Sequence, residues 1–154
     1  SLGGCVALLA YDDTIDCLGL WYPAVFPRET ETFKQMEERT HELDAHGRML
    51  IRERDDTKFF IGKEFYHERA TVAPFARVKD IVCPLLIVVG DHDTGVPSEQ
   101  SYRVFDAARE PKKLVTIEGA DHCFWLPGTH DVNPAWQREA IDATSEWFVR
   151  WLCA

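Results

Sequence analysis

The sequence predicts an α/β protein in which helices flank a parallel sheet and a small insertion separates two strands. The clearest observation is the continuous apolar run VCPLLIVV at 82–89. It is followed by Gly-Asp, as is typical of a parallel strand buried on both faces. Shorter apolar strand-like and helix-like segments alternate before and after this run. A long, mostly polar stretch at 24–80 interrupts the alternation and indicates the insertion.

The composition is that of one globular protein. The 154 residues are enough for one hydrophobic core and too few for two ordinary domains. The hydrophobic content of 45% and the charged content of 28% are typical of folded chains. The net charge of −9 disfavours nucleic acid and anionic membranes, so we expect neither as a partner. The sequence contains no run of 18 apolar residues, so we predict no membrane span.

The core elements are predicted in chain order as a helix and three strands. Residues 3–11 form an apolar helix that Asp-Asp closes, and 15–21 form a buried strand that ends at Tyr-Pro. The run at 82–89 is the second strand, and 114–117 is the third. Three strands with helices on both faces would leave one hydrophobic edge of the sheet uncovered.

Two further helices follow the second and third strands. Ser98 is predicted as the N-cap of a helix over 99–109, and Pro134 as a first-turn residue of the last helix. Both helices have apolar residues at helical spacing, which we interpret as core packing. The first set is Tyr102, Val104, Phe105 and Ala108, and the second is Trp136, Ala140, Ile141, Trp147, Phe148, Trp151 and Leu152.

The insertion at 24–80 is predicted as a cap, which leaves 1–23 and 81–154 as the core. Within it we expect a helix over 29–46 ended by Gly47, a hairpin formed by 48–54 and 58–61, and a short helix over 62–69. A solvated connecting region with no role at a site remains the alternative. The insertion carries aromatic residues that could line a pocket or pack the cap onto the sheet: Phe26, Phe33, Phe59, Phe60 and Phe65.

The five cysteines indicate a reducing compartment. They are odd in number and form no C-x-x-C pair, and most lie in apolar runs, where a free thiol behaves as a small hydrophobe. We therefore expect a cytoplasmic protein.

Ser1 is the first candidate catalytic residue. The motif Ser1-Leu2-Gly3-Gly4 leads directly into the first helix, so the serine would lie at a helix N-terminus. There the backbone N–H of Leu2 could donate to a developing oxyanion. We expect Gly3 to avoid a clash with a strand before the serine, and Gly4 to let the helix pack close to the sheet. A serine that only caps the helix explains the motif equally well.

A carboxylate and an imidazole follow the second and third strands. Asp93 follows the run at 82–89, at the strand end where open α/β sheets place catalytic groups. Asp91 is the competing residue, with hydrogen bonds to its own turn as its structural role. His122 follows the strand at 114–117 and could act as general base. Metal binding by Asp91, His92 and Asp93 is disfavoured because adjacent residues in one turn seldom converge on one ion.

These residues occur in the order Ser, Asp, His, which is the order in α/β-hydrolases. The chain resembles the C-terminal half of a serine α/β-hydrolase, from the nucleophile elbow to the last helix. The resemblance rests on Ser-Leu-Gly-Gly at the start, CPLLIVVGDHDTGVP at 83–97 and IEGADHCF at 117–124. The motifs are most similar to those of cinnamoyl and feruloyl esterases and related acyl hydrolases. Ser1, Leu2 and Gly3 match the last three positions of the family's G-x-S-x-G elbow.

The resemblance implies a serine esterase that forms an acyl-enzyme intermediate. Ser1 would be the nucleophile, His122 the base, Asp93 the acid and the N–H of Leu2 one oxyanion donor. No cofactor and no metal would be needed. The expected partners are a small ester or acyl substrate and the N-terminal half of the same fold. That half, in the same polypeptide or in a separate chain, would supply the second oxyanion donor.

Several other functions stay open at this point. Within enzymes they are thioesterase, acyltransferase and aminopeptidase-like hydrolase, because the three residues do not specify the leaving group or the acceptor. An N-terminal serine that uses its own α-amine as base is a further alternative. Outside enzymes, the chain could be a non-catalytic binding module, since function does not follow from fold. It could also only complete the fold of another chain.

Overall fold

The computed structural model describes residues 1–52, 58–126 and 131–153. The chain divides into two compact units, a core unit of Ser1–Phe26 with Ala73–Ala154 and a second unit of Pro27–Val72. The second unit falls within the insertion predicted at 24–80, and its role as a cap stays a prediction. In chain order the regular elements are α1 (Leu2–Leu9), β1 (Leu18–Trp21), α2 (Glu31–Glu38), β2 (Arg48–Arg52), β3 (Lys58–Gly62), α3 (Lys63–Thr71), β4 (Leu85–Gly90), α4 (Ser98–Ala107), β5 (Lys112–Ile117) and α5 (Pro134–Leu152).

The core unit contains a parallel sheet of three strands in the order β1-β4-β5. Leu18 pairs with Leu85 at the start of β1, and Leu85 pairs with Lys112 at the start of β5. The central strand β4 is buried along its whole length. The predicted parallel sheet with flanking helices is therefore confirmed, and the three predicted strands are the ones present in the described residues.

Side chains of β4 alternate between two apolar layers, one on each face of the sheet. Leu85 and Ile87 pack with Leu8 of α1 and Val104 of α4. Leu86 and Val88 lie on the other face, in a cluster with Ala140 and Trp147 of α5. Because successive side chains of a strand point to opposite faces, a continuous apolar run is what this double layer requires.

Two strands begin later than the sequence predicted. In β4 the backbone amides of Val82 and Cys83 donate to the Tyr11 hydroxyl instead of to a neighbouring strand. Pro84 has no N–H to donate, so strand pairing starts at Leu85. In β1 pairing starts at Leu18, and the predicted strand residues 15–17 lie before it.

The helices of the core unit lie near the predicted positions, although α1 ends at Leu9 and not at residue 11, and α4 ends at Ala107 and not at residue 109. The N-cap of α4 is Pro97, so the prediction for Ser98 was wrong: Ser98 is the first helical residue, and the Pro97 carbonyl accepts from the Gln100 amide. The last helix starts at Pro134 as predicted, with Asn133 as its N-cap. Its apolar stripe is narrower than predicted, since Ile141 and Leu152 are about half exposed.

The second unit contains two helices and an antiparallel hairpin. Thr30 caps α2, which ends at Glu38 and is shorter than the predicted 29–46. A 3-10 turn at Thr40–Glu42 and extended Leu43 follow, and Asp44 then accepts from the amides of His46 and Arg48 in a turn. Strands β2 and β3 pair from Arg48↔Gly62 to Arg52↔Lys58, which confirms the predicted hairpin. Its predicted turn residues 55–57 lie outside the described residues.

The aromatic residues assigned to the insertion differ in how far they are exposed. Phe33 is buried in the second unit, and Phe26 belongs to the core unit and packs against Phe75. Phe59, Phe60 and Phe65 are exposed by 37–54%. Of the helices that the structure describes, none combines the length and the apolar character that a membrane span needs. None of the five cysteines forms a disulfide bond.

Candidate active site

Ser1 lies at the N-terminus of α1, next to the end of β1. Its nitrogen donates to the carbonyl of Trp21 at 2.8 Å, and its carbonyl accepts from the amides of Gly4 and Ala24 at 3.0 and 3.1 Å. The Ser1 hydroxyl makes no hydrogen bond to the helix it precedes. The backbone is therefore fixed on both sides while the hydroxyl stays available.

The start of α1 also presents backbone donors. Leu2 is the first helical residue, so its N–H has no partner within the helix. A Cβ on Gly4 would lie 2.8 Å from Cβ of Pro23, which explains why a glycine is needed there. A Cβ on Gly3 would have no described atom within 4 Å, so the clash expected at this position has no counterpart in the described residues.

Asp93 is the carboxylate that reaches His122. Its Oδ2 lies 2.8 Å from Nδ1 of His122, and its side chain has no exposed surface. Its Oδ1 accepts from the amides of Gly95 and Val96 at 2.9 and 2.7 Å. These two backbone bonds fix the carboxylate in one orientation and stabilise its charge.

Asp91 has a different set of partners. It accepts from the amide of Gly119 at 2.7 Å and contacts Nδ1 of His92 at 2.8 Å. Asp91 therefore joins the turn after β4 to the turn after β5. No group of three His, Cys, Asp or Glu in the described ranges is arranged to hold a metal ion.

The position of His122 is set by its neighbours in both turns. Asp121 accepts from the His122 amide at 2.8 Å and from the amide and hydroxyl of Thr94. Gly95 lies directly against the imidazole, where a Cβ would be 3.1 Å from Cγ. On another side the ring of Tyr22 lies 4.5 Å from the imidazole between centroids.

The surroundings of His122 change its pKa in two opposing ways. Burial of the ring disfavours the charged form and lowers the pKa. The hydrogen bond to Asp93 and the interactions with Asp93 and Cys123 favour the charged form. They outweigh burial and raise the pKa of His122 from 6.5 to about 9. The ring is therefore mostly protonated below about pH 9, and its neutral form is a stronger base than an ordinary histidine.

Cys123 and Tyr22 are site residues that the sequence analysis did not single out. The Cys123 thiol interacts with the His122 ring and the Tyr22 hydroxyl, and the interaction with His122 lowers the pKa of the thiol against the opposing effect of burial. Tyr22, Cys123 and Phe124 have φ values of 38°, 60° and 59°. Such left-handed backbone is strained in residues other than glycine and is common at functional sites. No local sequence signal marks these three positions.

The structure brings two of the three predicted catalytic side chains into hydrogen-bond contact. Asp93 and His122 are bonded, whereas Ser1 and His122 are not joined by a hydrogen bond in the described residues. Ser1 and His122 are both next to the end of β1, Ser1 through Trp21 and His122 through Tyr22. Thr94, Gly95 and Asp121, which orient the pair, were also absent from the predicted site.

Comparison with known proteins identifies the family. The model of the prolyl oligopeptidase family matches residues 19–153. The chain belongs to the prolyl oligopeptidase family. This assignment confirms the predicted resemblance to serine hydrolases of the α/β-hydrolase fold.

Solved structures and a curated protein extend the comparison. This member of the prolyl oligopeptidase family is similar to Est1E from Butyrivibrio proteoclasticus, with 25% identity and a TM-score of 0.66 over all of this chain and 59% of that one. A puromycin-hydrolyzing peptidase of Mycobacterium tuberculosis has the same fold, with 20% identity and a TM-score of 0.62 over 99% of this chain and 21% of that one. A 58-residue segment is 36% identical to the acyltransferase drtE of Aspergillus calidoustus and covers 37% of this chain and 19% of that protein. The chain thus spans less than two thirds of the length of these relatives.

Proposed function

We propose that this member of the prolyl oligopeptidase family hydrolyses carboxylic esters through an acyl-enzyme intermediate. The observation that carries the proposal is the hydrogen bond between buried Asp93 and Nδ1 of His122. A carboxylate in this position selects the imidazole tautomer whose other nitrogen is free to accept a proton. Ser1 supports the assignment, because it presents an unbonded hydroxyl at a helix N-terminus.

In the proposed mechanism Ser1 Oγ attacks the ester carbonyl, and Nε2 of His122 takes the hydroxyl proton. The N–H of Leu2 donates to the oxyanion of the tetrahedral intermediate. His122 then gives its proton to the leaving alcohol, and the C–O bond to that alcohol breaks. Water, deprotonated by His122, attacks the acyl-enzyme, which releases the acid and restores Ser1. Asp93 keeps the His122 ring oriented and stabilises the imidazolium during both acylation and deacylation.

Peptidase, thioesterase and acyltransferase activities use the same three groups and remain the rival functions. The name of the family and the hydrolysis of puromycin by a structural relative favour a peptidase. The curated relative favours acyl transfer, although its match covers only 37% of the chain. Est1E is known with bound ferulic acid, a carboxylic acid of the kind that ester hydrolysis releases. Its match has the higher identity of the two structures and covers all of this chain, which favours ester hydrolysis.

We further propose that an N-terminal half of the fold, in the same polypeptide or in a separate chain, packs beside β1 and supplies the second oxyanion donor. In the described sheet β1 is an edge strand, and Val6 and Leu9 of α1 are 56% and 39% exposed. In the same proposal the unit Pro27–Val72 is the cap, since its aromatic residues Phe59, Phe60 and Phe65 are exposed. The location proposed for the protein is cytoplasmic, in keeping with five cysteines that form no disulfide bond.

Labelling with a fluorophosphonate probe tests the proposed roles. The protein should be labelled once, at Ser1, and Ser1→Ala should abolish the label. Ser145→Ala, an exposed serine of α5, is the matched control and should keep full labelling. His122→Ala should slow labelling strongly, because the serine then has no base. A label that survives Ser1→Ala would contradict the assignment.

A substrate panel then separates the rival activities. An aryl ester, an acyl thioester and an aminoacyl anilide are each supplied with and without an alcohol acceptor. The proposal expects the highest kcat/KM with the ester and free acid as product. Higher kcat/KM with the anilide would favour a peptidase, and acyl transfer to the alcohol in preference to water would favour an acyltransferase.

A further inference from the structure

The second unit contains an apolar cavity of about 170 Å³ that the proposed mechanism does not use. It lies among α2, the hairpin β2-β3 and α3, and residues of this unit alone line it. Its main walls are Met36, Leu43, Met49, Ile61, Tyr66 and the stem of Lys63. An apolar cavity of about 150 Å³ is large enough to bind a benzene molecule.

The hydroxyl groups around the cavity form hydrogen bonds outside it. The Thr40 hydroxyl donates to the Glu37 carbonyl at 3.0 Å, and the Tyr66 hydroxyl donates to the Glu37 carboxylate at 3.3 Å. Lys63 and His67 also line the cavity, but the surface that lines it is almost wholly apolar, so both contribute mainly carbon atoms. The carbons of the Lys63 stem lie near Gly47, and the His67 ring lies 5.6 Å from the Tyr66 ring between centroids. An ionised group inside the cavity would therefore lose its hydration with little compensation.

The walls combine firm and adaptable parts. Tyr66 is held by stacking on buried Phe33, with 4.9 Å between ring centroids and 20° between planes. Met36 and Met49 are buried, and methionine side chains adjust to the shape of a bound group. Both methionines of the chain thus contact the same cavity.

We propose that this cavity is a binding site for an uncharged, single-ring hydrophobic compound or for such a ring on a larger molecule. The volume matches one six-membered ring, and the apolar walls select a neutral ring over an ionised one. The inference goes beyond the proposed ester hydrolysis and does not depend on it, because no catalytic residue lines the cavity.

The NMR signals of the two methionine methyl groups report binding in the cavity. In protein labelled with [methyl-¹³C]methionine, Met36 and Met49 give two signals, which Met36→Leu and Met49→Leu assign. Toluene should shift both signals saturably through its ring current, whereas benzoate at the same concentration should shift neither. The proposal is overturned if toluene shifts neither signal, or if benzoate shifts both as strongly as toluene does.

A variant whose side chain fills the cavity provides a second test. Leu43→Phe should weaken toluene binding by about tenfold or more, since the larger side chain fills part of the volume that the ring needs. Leu152→Phe, the same substitution at a leucine that is 53% exposed in α5, should bind toluene as the unsubstituted protein does. Undiminished toluene binding by a folded Leu43→Phe variant would contradict the site. If that variant loses its dispersed methionine signals, Leu43→Ala replaces it. The larger cavity should then admit naphthalene, which the unsubstituted protein excludes, and its failure to do so would count against the proposal.

Discussion

At the residue scale, the two aspartates that follow β4 differ in what they contact. Asp93 is bonded to His122 and to two amides of its own turn, whereas Asp91 joins that turn to Gly119. The two residues are separated by one position, and a carboxylate at either could follow a strand end. Only the direction of each side chain distinguishes them, and the backbone of the turn sets that direction.

A matched pair of substitutions tests this difference. Asp93→Asn should lower kcat for ester hydrolysis by about 10³–10⁴-fold, because the amide no longer stabilises the imidazolium or selects the productive tautomer. Asp91→Asn should leave kcat within about twofold, since the side chain contacts no proposed catalytic group. Steady-state kinetics of both variants provides the measurement. Equal losses of kcat would contradict the assignment of Asp93.

The pH dependence of the reaction should follow the raised pKa of His122. The base must be neutral to accept the Ser1 proton, so between about pH 6 and about pH 10.5 kcat/KM should rise with its midpoint near pH 9. In Asp93→Asn the midpoint should move to lower pH, because the contribution that raises the pKa is lost while burial still lowers it. Initial rates across this range measure both midpoints. A midpoint at or below 6.5 in the unsubstituted protein would contradict the expected shift.

At the element scale, the end of β4 is packed against the turn before His122. A Cβ on Gly90 would lie 2.3 Å from the Ala120 carbonyl oxygen and 2.8 Å from its carbonyl carbon. The same carbonyl accepts from the His92 amide at 3.0 Å. This close approach of two backbones brings the turns that carry Asp93 and His122 together.

Alanine substitutions at two strand glycines test whether the backbones of Gly90 and Ala120 are in rigid contact. Gly90→Ala should lower the free energy of unfolding by about 3 kcal/mol, since its methyl group meets backbone atoms that cannot move away. Gly19→Ala in β1 is the control. Its methyl group would lie 3.2 Å from the Phe148 ring, and its three nearest neighbours are all side-chain atoms, so we expect a cost of at most about 1 kcal/mol. Urea unfolding followed by circular dichroism compares them, and equal costs would argue against a rigid contact at Gly90.

Helix α2 shows where local reasoning about an element fails. The polar residues after Glu38 favour a helix, which is why 29–46 was predicted as one. The helix instead ends at Glu38, a 3-10 turn follows at Thr40–Glu42, and Asp44 then accepts backbone amides from His46 and Arg48. The Asp44 turn leads directly into β2, so the residues after Glu38 form the entry to the β2-β3 hairpin and not a longer helix.

At the scale of the whole molecule, the stability of the folded state should depend on His122. Its pKa is about 9 in the folded state, against the ordinary histidine value of 6.5 in the unfolded chain, so folding favours the protonated ring. The resulting stabilisation is complete below pH 6.5 and is lost as pH rises through about 9. Urea unfolding at both ends of this range, with His122→Gln as control, isolates the contribution. The pH-dependent stabilisation should be absent in His122→Gln. An equal loss of stability with pH in both proteins would refute the contribution of His122.

The sequence by itself determined the fold class, the order of the strands along the chain and the candidate residues Ser1, Asp93 and His122. These depend on local patterns: apolar runs, turn residues and short motifs. The tertiary structure decided which carboxylate meets the imidazole, because Asp93 and His122 are 29 positions apart and are joined across neighbouring strand ends. It also added Tyr22 and Cys123 to the site. Their role arises from long-range packing and a strained backbone, which local sequence patterns do not encode.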